Sequence, residues 1–221
     1  MSQRSPIEAL NHEALIEEFA PAEESVVRAA YRLIASKGIE RTTLQDIADA
    51  AGVSKALAVY YFKTKENILL AAIRWVLGRV AERMTCVVDS VEAPEEKVHA
   101  MVDAIFVDPR RNRDFYLAYT ALIGEAARNE RFNALNSTFR SIMNAAYAKL
   151  IRAGDGTVFT VDSVEEAAMG VRALIDGFFL QWLEETEWVE LHGRYKAMCA
   201  NAILRYLGAD APAVVAPDDS A

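Results

Sequence analysis

Residues 43–65, TLQDIADAAGVSKALAVYYFKTK, constrain the fold more than any other part of the chain. Thr43 is a good helix N-cap, and Asp46, three residues on, reaches back to its backbone N–H in a variant of the capping box. Leu44, Ile47, Ala48 and Ala51 recur at the spacing of one helical face. Gly52 stands where the chain must turn, because glycine takes positive φ without steric cost. Ser54 caps a second helix, in which Leu57, Ala58 and Tyr61 continue the inward face. Ala48 is small where the two helices cross, so they can approach closely. Two short helices around a glycine turn are the parts of a helix-turn-helix, whose second helix enters the DNA major groove.

At these residues the chain resembles the TetR family of one-component regulators. The run TTLQDIADAAGVSKALAVYYFKTKENIL follows the family's DNA-binding signature: Thr-Thr, Ile-Ala, Ala-Gly-Val-Ser, Tyr-Phe, then Lys-x-Lys-Glu and an apolar residue. The resemblance is continuous from Val26 to Leu70. Beyond that, DPRRNRDFYLAY and RALIDGFFLQWL are weaker echoes, which resemble regulators of betaine synthesis. One stretch departs from the pattern. Many relatives have Gly-Thr-Leu-Tyr where this chain has Ala56-Leu57-Ala58-Val59. A tyrosine that often touches phosphate is therefore Val59, and a threonine that often reaches a base is Leu57.

A net charge of −8 argues at first sight against DNA. The distribution reverses that. Residues 22–66 hold seven Lys and Arg against six acids, whereas residues 1–21 and 67–221 are both acidic. Lys55, Lys63 and Lys65 cluster around the second motif helix, so an otherwise acidic chain is steered to present that face to phosphate. With 52% apolar residues a filled core is expected. The N-terminus carries acids where a signal peptide needs an apolar run, and no apolar stretch is long enough to span a bilayer, so no membrane partner and a cytoplasmic location are expected. Cys86 and Cys199 offer neither a disulfide framework nor a metal spacing and are expected to be buried thiols. No metal and no cofactor are expected.

The expected fold is all-α. An N-terminal extension (1–21) holds an amphipathic fragment from Ile7 to Glu18, either a short packed helix or a frayed arm. A three-helix DNA-binding domain (22–66) starts with a helix at 23–37, stopped at Gly38, and is small enough to lean on the next helix. That helix, at 65–88, joins it to a larger helical ligand-binding and dimerisation domain (67–208). Further helices are expected at 95–107, 110–127, 130–153, 163–185 and 188–207, with Thr157–Val161 the one short strand-like stretch. The Pro-, Ala- and Asp-rich tail (209–221) is expected to be disordered.

The segment 163–185 is apolar nearly all round, so it must be covered on two sides. Gly170, Ala173 and Gly177 make a small-residue stripe; Val171, Ile175, Phe178 and Trp182 make a bulky one. One stripe can face its own domain and the other a second copy of the chain. With 188–207 this builds a four-helix homodimer interface, as the TetR resemblance implies, unless both stripes are buried within one fold.

Trp75, Phe106, Phe115, Tyr116, Tyr119, Phe139, Met143, Phe178 and Trp182 supply aromatic and soft apolar surface that can line a ligand cavity, although such stripes are core more often than site. Tyr116, Tyr119 and Trp182 are the better candidates, because a buried phenol or indole asks for a polar partner. Glu125 and Asp176 lie in apolar stretches and can face a cationic or hydroxylated ligand, or be ordinary surface or paired carboxylates. The implied partner is a small-molecule effector, amphipathic or cationic.

Catalysis finds no foothold. His12, His99 and His192 are isolated, and no nucleophile elbow, HExxH or phosphate-cradling glycine loop occurs. The expected function is therefore a homodimeric, ligand-responsive repressor of transcription on a near-palindromic DNA operator. Thr42 and Thr43 would meet the DNA backbone, while Ser54, Lys55, Ala56, Leu57 and Tyr60 would occupy the groove. Lys63 and Lys65 would add charge beside phosphate, with Tyr60 and Lys65 setting register. The rival classes are a helical enzyme and a protein-interaction module without DNA binding.

Overall fold

A computed structural model of the chain describes Leu15 and residues 17–209. The tail after residue 209 and most of the 7–18 fragment lie outside the described residues. These form nine α-helices: α1 (Pro21–Arg41), α2 (Leu44–Ala51), α3 (Lys55–Phe62), α4 (Lys65–Ser90), α5 (Pro94–Ile105), α6 (Pro109–Ala126), α7 (Glu130–Gly154), α8 (Val164–Glu184) and α9 (Trp188–Tyr206). The fold is all-α. Among the described residues the only β-type pairing is a single bridge between Asp155 and Phe159, so Thr157–Val161 is a turn. It folds back because the Gly154 carbonyl accepts the N–H groups of Val158 and Phe159, and the buried Phe159 ring fills the space.

Side chains set most helix starts. Thr43, Ser54, Thr64, Asp108, Asn129 and Ser163 each accept a backbone N–H from the first turn of the following helix, meeting donors that the helix itself cannot satisfy. Pro21, Pro94 and Pro109 occupy first-turn positions, where their missing N–H costs nothing. Gly38 leaves helical geometry at φ 82°, ψ 169°, but does not end α1. A further turn runs to Arg41 before the chain reaches α2.

One apolar core runs the length of the molecule, from Val26, Ile34, Ile47 and Ala58 near α2–α3 to Trp182 and Ile203 at the other end. The α1–α3 unit leans on α4, as its size demands, and α1 also packs along α6. Leu15 is buried against α4. Its carbonyl oxygen lies 2.8 Å from where a Cβ on Gly78 would stand, so only glycine admits the chain there.

On α8 the buried stripe is Val171, Ile175, Phe179 and Trp182. Phe178, expected in that stripe, is only half-buried; its neighbour Phe179 takes the inward position, stacked on Phe106 and Tyr116. Gly170 is covered within the chain by the Tyr206 ring of α9, which leaves no room for a side chain. Outward from this pair point Met169, Ala173 and Leu180 of α8 and Val189, Met198 and Tyr206 of α9. Cys199 is buried, its thiol pushed up to about 12 by burial, but Cys86 is exposed on the outer side of α4, against expectation.

Candidate DNA-contact face and internal cavity

The motif closes as local hydrogen bonding dictates. The Thr43 side chain accepts the Asp46 N–H at 3.1 Å, and the Asp46 carboxylate accepts the Thr43 N–H at 2.8 Å. Lys37, 2.6 Å away, and Thr43 hold the Asp46 carboxyl well below the usual carboxylate range. Gly52 takes φ 69°, ψ 29°, a left-handed cap, and the chain re-enters helix at Ser54, whose hydroxyl accepts the Leu57 N–H. Ala58 is fully buried against the motif's interior.

On the opposite side Ser54, Lys55, Ala56, Val59 and Tyr60 are exposed, with Leu57 half-buried. Tyr60 is 69% exposed, an unusual position for so large an apolar ring. Lys63 turns back over it, its Nζ 5.1 Å from the ring centre and donating to the Tyr60 carbonyl at 2.6 Å. Lys63 holds φ 66°, a strained backbone for a residue other than glycine, which ends α3 abruptly and lets Thr64 start α4. Lys65 sits in the first turn of α4, half-buried. Thr43 is exposed beside these groups. Thr42 is not: it is fully buried, its hydroxyl donating to the Gly38 carbonyl at 2.7 Å, so it braces the α1–α2 junction and cannot reach a DNA backbone.

The cavity between α1, α4, α5, α6, α7 and α8 measures about 370 Å³, within the range of small-molecule sites. Trp75, Val76, Arg79, Val80 and Arg83 of α4 form one wall; Arg28 and Tyr31 of α1 stand beside them. Phe115, Tyr116 and Tyr119 of α6, with Phe139, Met143 and Tyr147 of α7, form the aromatic end. Arg172 and Asp176 of α8 close it, 3.4 Å apart. Burial raises the Asp176 carboxyl against the pull of Arg172, and burial together with Asp176 keeps the phenols protonated: Tyr119 rises to about 12, Tyr116 and Tyr147 well above the usual value. Among the described residues, the hydroxyls of Tyr31, Tyr116, Tyr119 and Tyr147 have no hydrogen-bond partner in the protein. These neutral donors face a space sized for a ligand.

Six of the sequence candidates, Trp75, Phe115, Tyr116, Tyr119, Phe139 and Met143, line this cavity, as does Asp176. Four do not. Phe106 stacks on Phe179 at 4.1 Å in the core, and Trp182 is buried with its indole N–H donating to the Trp188 carbonyl at 2.6 Å. Phe178 lies outside the lining, and Glu125 sits half-buried near the end of α6. The indole's polar partner turned out to be backbone, which composition cannot reveal. Of the basic run at the start of α6, Arg113 donates to the Leu183 carbonyl and lies over the Trp188 ring, whereas Arg111, paired with Asp108, reaches the cavity. Sequence reading missed Arg28, Tyr31, Arg79, Arg83, Tyr147 and Arg172. A usable signal existed for two of them: Trp75, Arg79 and Arg83 recur every fourth residue along one face of α4.

Residues 26–72 match the bacterial regulatory proteins of the tetR family, and residues 94–208 match the C-terminal domain of BetI-type transcriptional repressors. The chain belongs to the TetR family. The HTH-type transcriptional regulator BetI of Rhizobium meliloti (strain 1021) is 30% identical over 158 residues, 72% of this chain and 76% of that relative. BetI of Agrobacterium fabrum is 31% identical over 159 residues, 72% and 75% of the two chains. Among solved structures, a putative transcriptional regulator from Saccharomonospora viridis in complex with choline superposes with a TM-score of 0.73 at 26% identity, over 82% of this chain and 95% of that one. A TetR regulator from Haloarcula marismortui gives 0.70 at 27% identity, over 83% and 98%. This TetR chain is thus a ligand-responsive, DNA-binding transcriptional regulator, a class that is not an enzyme class. No described helix is long and apolar enough to cross a membrane, and no cluster of His, Cys, Asp and Glu among the described residues could hold a metal ion.

Proposed function

We propose that this TetR regulator is a homodimeric repressor that occupies a near-palindromic operator and leaves it when a small molecule fills the internal cavity. One observation carries the reading: α4 begins at Lys65, directly behind α3, and the same rigid helix supplies five residues of the cavity wall. Its 26 residues span about 39 Å, so a small tilt forced at Trp75 or Val76 displaces the DNA end. Two α3 helices would enter successive major grooves about 34–36 Å apart, and a change in their separation costs DNA affinity. A coupling of about 1–3 kcal/mol corresponds to roughly 5–150-fold release.

The DNA roles follow exposure. Lys55 suits guanine or phosphate, and Ala56 and Leu57 suit thymine methyls. Tyr60, Lys63, Lys65 and Thr43 suit the backbone, where they set register without reading sequence. Val59 adds an apolar contact at the same face. The dimer reading is supported by the outward apolar side of α8 and α9, where Met169 is 61% and Leu180 48% exposed. The choline bound by the Saccharomonospora neighbour makes a small organic ion the natural effector class to test here.

Fluorescence anisotropy with labelled duplex from upstream of the gene, across a series of salt concentrations, tests the DNA half. Lys65→Ala should weaken every sequence alike and lower the salt slope by about 0.9 for the lost phosphate contact, with the dimer intact. An unchanged slope removes Lys65 from the interface, and no salt-dependent binding at all removes the repressor reading.

A further inference from the structure

We infer that the effector is an organic anion, a single carboxylate-like charge on an aromatic or aliphatic body, and not a quaternary ammonium. This rests on the cavity being the effector site and goes beyond it by naming the ligand's charge. Five guanidinium groups line the space against two carboxylates. Arg28 is paired with Glu24 at 2.6 Å, Arg111 with Asp108 at 3.1 Å and Arg172 with Asp176 at 3.4 Å. Among the described residues, Arg79 and Arg83 have no ion-pair partner, and Asp114 is the one lining carboxylate outside a pair. Counted over the lining groups and their ion-pair partners, one positive charge is in excess; Glu82, outside the lining, offsets part of the field on Arg83. Arg83 is held below its usual range by burial and by the guanidiniums of Arg79 and Arg111, so a negative charge placed among the three relieves their repulsion.

Two of the features that would favour a quaternary ammonium, the Trp75 face and the Asp176 carboxylate, are already engaged. Two cations, Arg28 and Arg79, lie over the Trp75 ring at 5.4 and 5.1 Å, and the Asp176 carboxylate is engaged by Arg172. Phenol hydroxyls kept protonated by burial donate to an anion, and a cation offers them no acceptor. Phe115, Phe139 and Met143 leave room for an apolar body beyond the charge. The charge sits at the α4 end of the cavity, where Arg79 and Arg83 belong to the helix that leads to the DNA face.

Two fluorescent probes of one shape isolate the charge: 8-anilinonaphthalene-1-sulfonate and its uncharged parent N-phenyl-1-naphthylamine. The intact protein should bind the sulfonate at one saturable site per chain, about tenfold or more tighter than the parent. Arg79→Gln with Arg83→Gln should abolish that preference while leaving the parent's Kd within about twofold, and added NaCl should weaken the sulfonate alone. Arg79→Gln alone, at an exposed side chain, should remove part of the preference if the double variant folds poorly. Phe139→Trp, which fills the aromatic end, should weaken both probes. Equal affinity for the two probes, sulfonate binding indifferent to Phe139→Trp, or displacement by choline chloride beyond that caused by equal NaCl would each overturn the anion assignment. Choline displacement leaves the cavity as effector site with the opposite ligand. Failure of both probes and of choline to bind saturably overturns the effector-site reading itself.

Discussion

The DNA-contact face and the cavity are both helical surfaces, yet they are stabilised on different length scales. The face is made within residues 43–65, where capping hydroxyls, one carboxylate and one left-handed glycine fix two short helices by bonds to near neighbours. The cavity is drawn from residues 28 to 176, six helices that meet only through tertiary packing. The first is therefore rigid and vulnerable at single positions. The second is held by packing distributed over many buried side chains, and the proposed function asks its walls to shift when a ligand enters.

The sharpest way to break this contrast lies in the core beside the cavity. Trp182→Ala should destabilise the fold by about 3–5 kcal/mol, because the ring is fully buried among Phe179, Trp188 and His192. Probe binding to the fraction still folded should be unchanged, since Trp182 does not line the cavity; weakened binding there would put it back in the site. Next in size is Gly52→Val. No atom lies within 4 Å of where a Cβ would stand, so the cost is conformational alone, about 1–2 kcal/mol or roughly 2–8 °C in Tm. Unaltered melting would mean that the turn does not need its left-handed residue.

That pair of variants also marks what was legible in the sequence. Gly52, Ser54 and the Thr43–Asp46 box could be read because each acts on residues three or four positions away. Thr42 misled because its neighbour's exposure does not predict its own: a hydroxyl one residue before a cap can turn inward, and here it does, to Gly38. The helices of the C-terminal half were legible from period and proline, ending within a few residues of expectation. Which aromatics face the cavity was only partly so, since Phe178 and Phe179 differ by one helical position and only packing decides which is inside. Of the lining arginines, Arg79 and Arg83 left a trace in their four-residue spacing from Trp75, but Arg28 and Arg172 did not, because each reaches the cavity only through the packing of α1 and α8 on the other helices.

A smaller effect tests the core around His192. His192 is buried, and its Nε2 lies 2.9 Å from Asn112 Oδ1; the Asn112 amide nitrogen donates to the Ile105 carbonyl, so the oxygen accepts and the imidazole carries its proton on Nε2. Burial, then Lys196, lowers the His192 pKa, so the folded state prefers the neutral ring. Its contribution is complete above the unfolded value of about 6.5 and is lost as pH falls through the folded value. Tm should therefore decline between about pH 7 and pH 5, and His192→Phe should flatten that decline. An equal decline in the variant would assign it to other groups.

The claim on which the rest depends is that α4 transmits cavity occupancy to the DNA face. Val76 lines the cavity from α4, and Val76→Trp drives a permanent wedge between that wall and α6–α7 without touching α3. Operator affinity, measured by anisotropy on the folded dimer, should fall about 5–150-fold, while Val76→Ala should leave it within about twofold. Operator affinity in Val76→Trp equal to that of the unaltered chain would contradict the account.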